Sequence, residues 1–104
     1  MAATGIEVHD VPDRARYEVT VDGRVAGFAA YRETSGVRVF THTEVDDDYE
    51  GQGVGSALAR GALDEARAAG RRVVALCPFI AGYISRHPEY ADLVDEGMDR
   101  TLRA

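Results

Sequence analysis

Three glycines fall within five positions in the stretch Glu50-Gly51-Gln52-Gly53-Val54-Gly55-Ser56. Glycine has no side chain to bury and loses more backbone entropy on folding than any other residue, so such a cluster marks a backbone that must come close to something. A turn of this kind leading into a helix aims several backbone N–H groups at one point, with the positive end of the helix dipole behind them. That arrangement is an anion site. Upstream, His42 and Glu44 are two residues apart, the spacing that puts both on one face of a strand as proton-transfer candidates. Downstream lie the chain's one thiol, Cys77, and a phenol, Tyr83.

The kind of anion follows from what surrounds the glycines. A Walker-type phosphate loop needs Lys and then Ser or Thr after its last glycine; here Gly55 is followed by Ser56-Ala57, and the chain has no lysine. A dinucleotide-binding turn needs G-x-G-x-x-G and an acidic residue about 20 positions on. The spacing here is Gly51-x-Gly53-x-Gly55, and the corresponding region, Arg72 to Cys77, holds no acid. Neither motif fits, and the anion that the backbone N–H groups would hold is expected to be a phosphate group of another kind.

The elements that must position these groups can be read from periodicity. Arg16 to Val21 alternates polar and apolar residues as a half-buried strand does, and Asp22-Gly23 supplies a tight hairpin turn. A second strand runs from Arg24 to Glu33, Thr34-Ser35-Gly36 turns the chain, and Val37 to Val45 alternates again. Strict alternation would put Val37, Val39, Thr41, Thr43 and Val45 on one face and Arg38, Phe40, His42 and Glu44 on the other. Ile6 to Val11 reads as an edge strand ended by Pro12. After the glycines, Val54, Leu58, Ala62, Ala66 and Ala69 form an apolar helical stripe ended by Gly70, with Arg60 and Asp64 spaced to pair. Arg72 to Cys77 reads as a central strand closed by Pro78.

Phe79, Ile80, Tyr83, Ile84 and His87 then recur on one helical face up to Pro88. A last helical piece, Glu89 to Glu96, is expected to stop at Gly97, with the tail from Met98 fraying. The order β-β-β-β-α-β-α-α predicts an α+β domain: a mixed, mostly antiparallel sheet with helices packed mainly on one face. With turns linking the first four strands, the other face is expected to be polar and open.

Composition narrows the function classes. The 104 residues fit a single domain, 1–104. With 18 acids against 12 bases and a net charge of -6, the chain has no basic field for nucleic acid or an anionic membrane surface. One cysteine allows no intramolecular disulfide and no four-cysteine zinc site, so no metal is expected and a reducing, cytoplasmic setting fits. The start Met1-Ala2-Ala3-Thr4-Gly5 lacks a basic, apolar leader, and no apolar run approaches ~18 residues.

The stretch from Glu50 to Leu58, preceded by a strand and opening an amphipathic helix, resembles the pyrophosphate signature Gln/Arg-x-x-Gly-x-Gly/Ala of the GNAT acetyltransferase superfamily. Phe40-Thr41-His42-Thr43-Glu44-Val45, Cys77-Pro78-Phe79 and Tyr83 to Tyr90 look closest to its short, single-domain YjdJ-type branch. Glu50 stands where the signature has Gln or Arg, and the helices that longer members insert after their first strand are missing. The resemblance implies acetyl-CoA as cofactor, with backbone at Gln52, Gly53, Val54, Gly55 and Ser56 on the pyrophosphate. It also implies a pantetheine arm beside Thr43 to Val45, and the Val45 N–H on the thioester carbonyl.

Direct attack by a primary amine follows, with Tyr83 matching the tyrosine that protonates the departing thiolate, and His42 or Glu44 taking the ammonium proton. Tyr83 is equally placed to do no more than pack. Cys77 falls near the thioester; it is either a buried inert thiol or, if activated, an acyl carrier. The alternative on the same fold is a non-catalytic CoA-binding or protein-interaction module. The acceptor, a small-molecule or protein amine, is unspecified, and nothing in the pattern demands an oligomer.

Overall fold

The structure is a computed structural model that describes residues 5–49 and 51–104; Glu50, with its departure from the signature, lies outside the described residues. In chain order its elements are β1 (Ile6–Val11), β2 (Arg16–Val21), β3 (Arg24–Thr34), β4 (Val37–Val45), α1 (Val54–Ala68), β5 (Arg72–Ala75), α2 (Pro78–Arg86) and α3 (Glu96–Arg103). Short 3-10 turns cover Pro12–Arg14, Asp47–Tyr49 and Pro88–Leu93. The strands form one sheet in sequence order. The first three pairings are antiparallel and β4 pairs β5 in parallel, which is the expected mixed α+β sheet.

The connections have local causes. Asp22-Gly23 and Ser35-Gly36 all take positive φ, 49° and 84° in the first turn and 50° and 77° in the second. Two such residues in a row make the turn whose twist matches a hairpin. Helix α1 buries Val54, Leu58, Ala59, Ala62, Leu63 and Ala66 against the sheet. It ends as a Schellman motif, the Gly70 N–H donating to Arg67 O and the Arg71 N–H to Ala66 O. Asp64 does not pair with Arg60; it accepts the Tyr90 hydroxyl at 2.6 Å, tying α1 to the turn after α2. Between β1 and β2 there is only the Pro12–Arg14 turn.

Two expectations fail for reasons that bear on the site. Alternation along β4 is broken. Ala30 pairs His42 but Tyr31 pairs Phe40, so Thr41 is an extra residue and the strand changes phase there. Arg38 therefore does not share a face with His42 and Glu44. It is buried with Phe40 on the α1 side, while His42 and Glu44 face the open side of the sheet.

The second failure is at the C-terminus. The segment Glu89 to Glu96 is mostly a 3-10 turn, and Gly97 stops nothing, because α3 begins one residue before it. Asp95 caps that helix by accepting the Met98 N–H at 3.0 Å. Helix α3 runs along the outer edge of β5, where Asp95 N–H donates to Val73 O and Arg72 to Val94 O. Met98 packs on Val37, Val39 and Val74, so part of the face expected to be polar is an apolar patch under α3. An otherwise open strand edge is thereby covered. No helix among the described residues is long and apolar enough to cross a membrane.

Candidate functional site

The site is built where β4 and β5 part. Their parallel pairing ends at Phe40 and Ala75; beyond it, the N–H groups of Leu76 and Cys77 converge on Phe40 O, at 2.9 and 3.3 Å. Strand β5 is two residues shorter than expected because Cys77 has become the N-cap of α2, with Pro78 in its first turn. From Thr41 onward no strand among the described residues pairs with β4 on that side.

What β4 offers to the gap follows from hydrogen-bond phase. Asp46 N–H donates to Ala26 O at 2.7 Å. In an antiparallel ladder bonded and non-bonded pairs alternate, so Phe28/Glu44 and Ala30/His42 are the bonded pairs. Thr43 and Val45, which oppose Ala29 and Gly27, therefore direct their N–H and C=O groups away from β3 and into the gap. This is an unpaired strand edge two residues deep, fit to bond an extended chain of amides.

The glycine turn lies at the outer end of that edge. Gly53, at φ 78°, is the N-cap of α1 and carries no side-chain cap. The first-turn N–H groups of Val54, Gly55 and Ser56 thus have no intrahelical acceptor, the ordinary condition of an uncapped helix start. Gln52 differs from the expectation: its N–H donates to Tyr49 O at 3.3 Å and its side-chain amide to Asp48 O, so both serve the loop itself. A groove of about 280 Å³ runs here between Val45, Tyr49, Gly51, the residues from Gly53 to Ser56, Phe79 and Arg86. Gly55 lets the Phe79 ring lie on the helix start, since a Cβ there would meet Phe79 Cζ at 2.8 Å and push the ring aside. Tyr49, Phe79 and Arg86 were not foreseen as site residues. The signal for two of them was the helical spacing Phe79, Gly82, Arg86, a second face of α2 beside the apolar one.

The inner end of the gap holds Cys77 and Thr43. Cys77 is 5% exposed, and its Sγ lies 3.3 Å from Thr43 Oγ1. No histidine or carboxylate among the described residues hydrogen-bonds the thiol. Tyr83 is buried on α2, stacked on His87 with ring centroids 3.9 Å apart and near Tyr90 at 6.0 Å. Its hydroxyl has no hydrogen-bond partner among the described residues.

His42 and Glu44 form a pair on the other face of the sheet. His42 Nε2 and Glu44 Oε2 are 2.9 Å apart, both side chains well exposed, with the His42 ring 6.0 Å from that of Phe28. The structure thus brings Thr43, Val45, Cys77 and the glycine turn to one cleft. It puts Tyr83 on the helical side of the sheet and the His42–Glu44 pair on the open side. A second groove of about 380 Å³ begins at Thr41 and Leu76 on the open side and is walled by Arg32, Val39 and Leu102 of α3.

Another polar cluster, at the opposite half of β4, holds the frame. The buried guanidinium of Arg38 donates to Tyr17 OH, Glu33 and Glu65, the last at 3.0 Å, and lies over the Tyr31 ring. Tyr17 in turn donates to Glu65, and Tyr31 to Asp10. Burial, with the bond to Glu65, raises the Tyr17 phenol far above its ordinary value, and burial with the bond to Asp10 does the same for Tyr31. These groups stay protonated and neutral; they join β1, β2, β3, β4 and α1 rather than move protons.

Residues 16–93 match the GCN5-related N-acetyl-transferase family. The fold is similar to the solution NMR structure of a GCN5-like protein from Staphylococcus aureus, with a TM-score of 0.66 over 88% of this chain and 89% of that one. Sequence identity between the two is 22%, so that likeness concerns the fold. No curated protein matches the chain.

Proposed function

Because the chain belongs to the GCN5-related N-acetyltransferase family, with residues 16–93 matching it, we propose that it transfers an acetyl group from acetyl-CoA to a primary amine by direct attack in a ternary complex. The observation that carries this reading is the continuity of the unpaired β4 edge at Thr43 and Val45 with the uncapped start of α1. A pantetheine arm carries two amides and ends in a pyrophosphate; the edge offers amide partners and the helix start offers N–H donors for the anion. The groove between them is lined by glycine backbone, which a bulkier residue would narrow.

Acetyl-CoA supplies an activated thioester. Gly53, Val54, Gly55 and Ser56 hold its phosphates through their N–H groups, and Thr43 and Val45 align the arm. The Val45 N–H donates to the thioester carbonyl, where negative charge grows as the amine attacks. The amine reaches the gap from the open face, past Thr41, where the His42–Glu44 pair takes the ammonium proton as the N–C bond forms. Tyr83 gives its phenolic proton to the sulfur as the C–S bond breaks. The acceptor is left as a class, an amine presented on the open face, and the reaction belongs to a cytoplasmic setting.

An acetylation assay tests this directly. Incubation with acetyl-CoA and a panel of amines, read by thiol release and by mass of the acceptor, is expected to give turnover that falls in Tyr83→Phe and in His42→Ala. Coenzyme binding without turnover on any amine would favour a CoA-binding module that has lost the chemistry.

A further inference from the structure

The groove at the glycine turn faces an electrostatic difficulty. The chain carries a net charge of -6, and Asp46, Asp47 and Asp48 sit just upstream of the turn, so the surrounding field opposes a doubly charged pyrophosphate. Backbone N–H groups and a helix dipole contribute only partial charges. There is no lysine anywhere in the chain. Among the described residues lining the groove, one is charged: Arg86, at the last turn of α2.

The path of Arg86 into the groove is built by the two residues before it on the same helical face. Phe79, Gly82 and Arg86 are spaced i, i+3 and i+7, which aligns them along one side of α2. Phe79 packs on Gly55, where even a methyl group would collide with its ring at 2.8 Å. A Cβ on Gly82 would meet Arg86 Nη1 at 3.3 Å, so the guanidinium folds back along α2, over Gly82 and toward Phe79. The glycine at 82 leaves the room for that path. Arg86 hydrogen-bonds no carboxylate and forms no ion pair among the described residues, in contrast to Arg16, Arg38, Arg67, Arg72 and Arg103.

We propose that Arg86 is the cationic contact for the coenzyme pyrophosphate, so that α2, and not the glycine signature, supplies the positive charge of this site. The proposal rests on the acetyl-CoA reading above. A planar guanidinium can donate two parallel bonds to neighbouring phosphate oxygens, which backbone N–H groups on the far wall do not duplicate. It also explains how the groove can take an anion with Glu50 where the signature has Gln or Arg.

Isothermal titration of CoA and of dephospho-CoA, which keeps the pyrophosphate and lacks the 3′-phosphate, tests it on wild type, Arg86→Ala and Arg86→Lys. Arg86 is exposed, so thermal melts of the variants are expected to match wild type. Arg86→Ala is expected to weaken both ligands by the same factor, roughly 10- to 100-fold for a charge-assisted contact. Arg86→Lys keeps a point charge without the fork and falls between. Unchanged CoA affinity in Arg86→Ala overturns the proposal, as does a loss seen with CoA but not with dephospho-CoA, which would move Arg86 to the 3′-phosphate. Wild type that binds neither ligand overturns the acetyl-CoA reading, and the arginine assignment with it.

Discussion

The Thr43 hydroxyl stands 3.3 Å from the Cys77 thiol, across the gap that opens where β4 and β5 part. A nucleophilic cysteine needs a base to hold it as thiolate, and this thiol's partner is a neutral hydroxyl. Cys77 is therefore expected to line the cleft without carrying the acyl group. Cys77→Ala should retain acetyl transfer and lose about 1 kcal/mol of stability from the vacated volume. Intact mass spectrometry after exposure to acetyl-CoA should show no adduct; a stable acetyl group on Cys77, with Cys77→Ala inactive, would reverse the assignment.

Gly53 caps α1 in the left-handed region with open space around its missing Cβ. Aspartate and asparagine tolerate that region better than other residues, and the open space leaves room for either side chain. Gly53→Asp puts a carboxylate at the proposed pyrophosphate site. It should fold with a stability within ~1 kcal/mol of wild type, the ordinary range of a cap change, while losing CoA binding. Gly53→Asn, of the same shape and uncharged, should lose less. Chemical denaturation and equilibrium dialysis with CoA check both halves.

Gly55 and Phe79 act as one packing unit. Gly55→Ala pushes a methyl group against the tip of the Phe79 ring; because that ring is 39% exposed and can swing aside, and alanine gains helix propensity, the cost is expected to stay below about 1 kcal/mol. Phe79→Leu in the same chain should recover part of that loss. A double-mutant cycle in urea measures the coupling; additive effects would show that the two side chains do not meet.

These relationships were unequally legible in the sequence. The hairpin turns at Asp22-Gly23 and Ser35-Gly36, the α1 stripe from Val54 to Ala66 and its end at Gly70 are local features, set by residues a few positions apart, and each appears in the structure, although Ala69, the expected last member of the stripe, is the exposed C-cap. The phase change at Thr41 left no mark, because it arises from pairing with β3, and the pattern from Val37 to Val45 reads as unbroken alternation. That bulge is what separates Arg38 from His42 and Glu44. Helix α3 was hidden by Gly97, which resembles a stop. Its true signal was Asp95, three residues before the N–H it caps. Arg86 lies on a second face of α2 that its apolar periodicity does not mark.

Tyr90 ties α2's following turn to α1 through Asp64 and gives the fold an alkaline limit. Burial and the bond to Asp64 raise its phenol from the ordinary 10.0 to about 12. A folded-state pKa above the unfolded one favours the protonated form in the native protein, so this contribution is whole below the unfolded value and is lost as pH rises through the folded one. Tyr17 and Tyr31 are raised in the same sense. Stability measured by denaturant should hold to about pH 10 and fall above it, and Tyr90→Phe should fall less steeply between pH 10 and 12. An equal slope in the variant would exclude Tyr90 as a contributor.

Arg38 is the buried cation on which Tyr17, Glu33 and Glu65 converge. Arg38→Leu removes the donor to Tyr17, Glu33 and Glu65 at the end of the sheet far from the glycine turn and should cost about 1–3 kcal/mol, since Glu33 and Glu65 are more than a third exposed and can turn to water. Urea denaturation reads the loss. CoA affinity of the folded fraction should not change; a stability equal to wild type would show the cluster to be dispensable.

The central claim is that the open β4 edge and the start of α1 together receive the coenzyme, and an NMR titration of the labelled protein with acetyl-CoA tests it most directly. The backbone amide signals of Thr43, Val45, Gly53, Gly55 and Ser56 are predicted to shift together and saturate with one ligand bound, while those of β1 stay in place. If these amides remain unmoved at millimolar acetyl-CoA, or if the shifts collect elsewhere on the sheet, the account is contradicted.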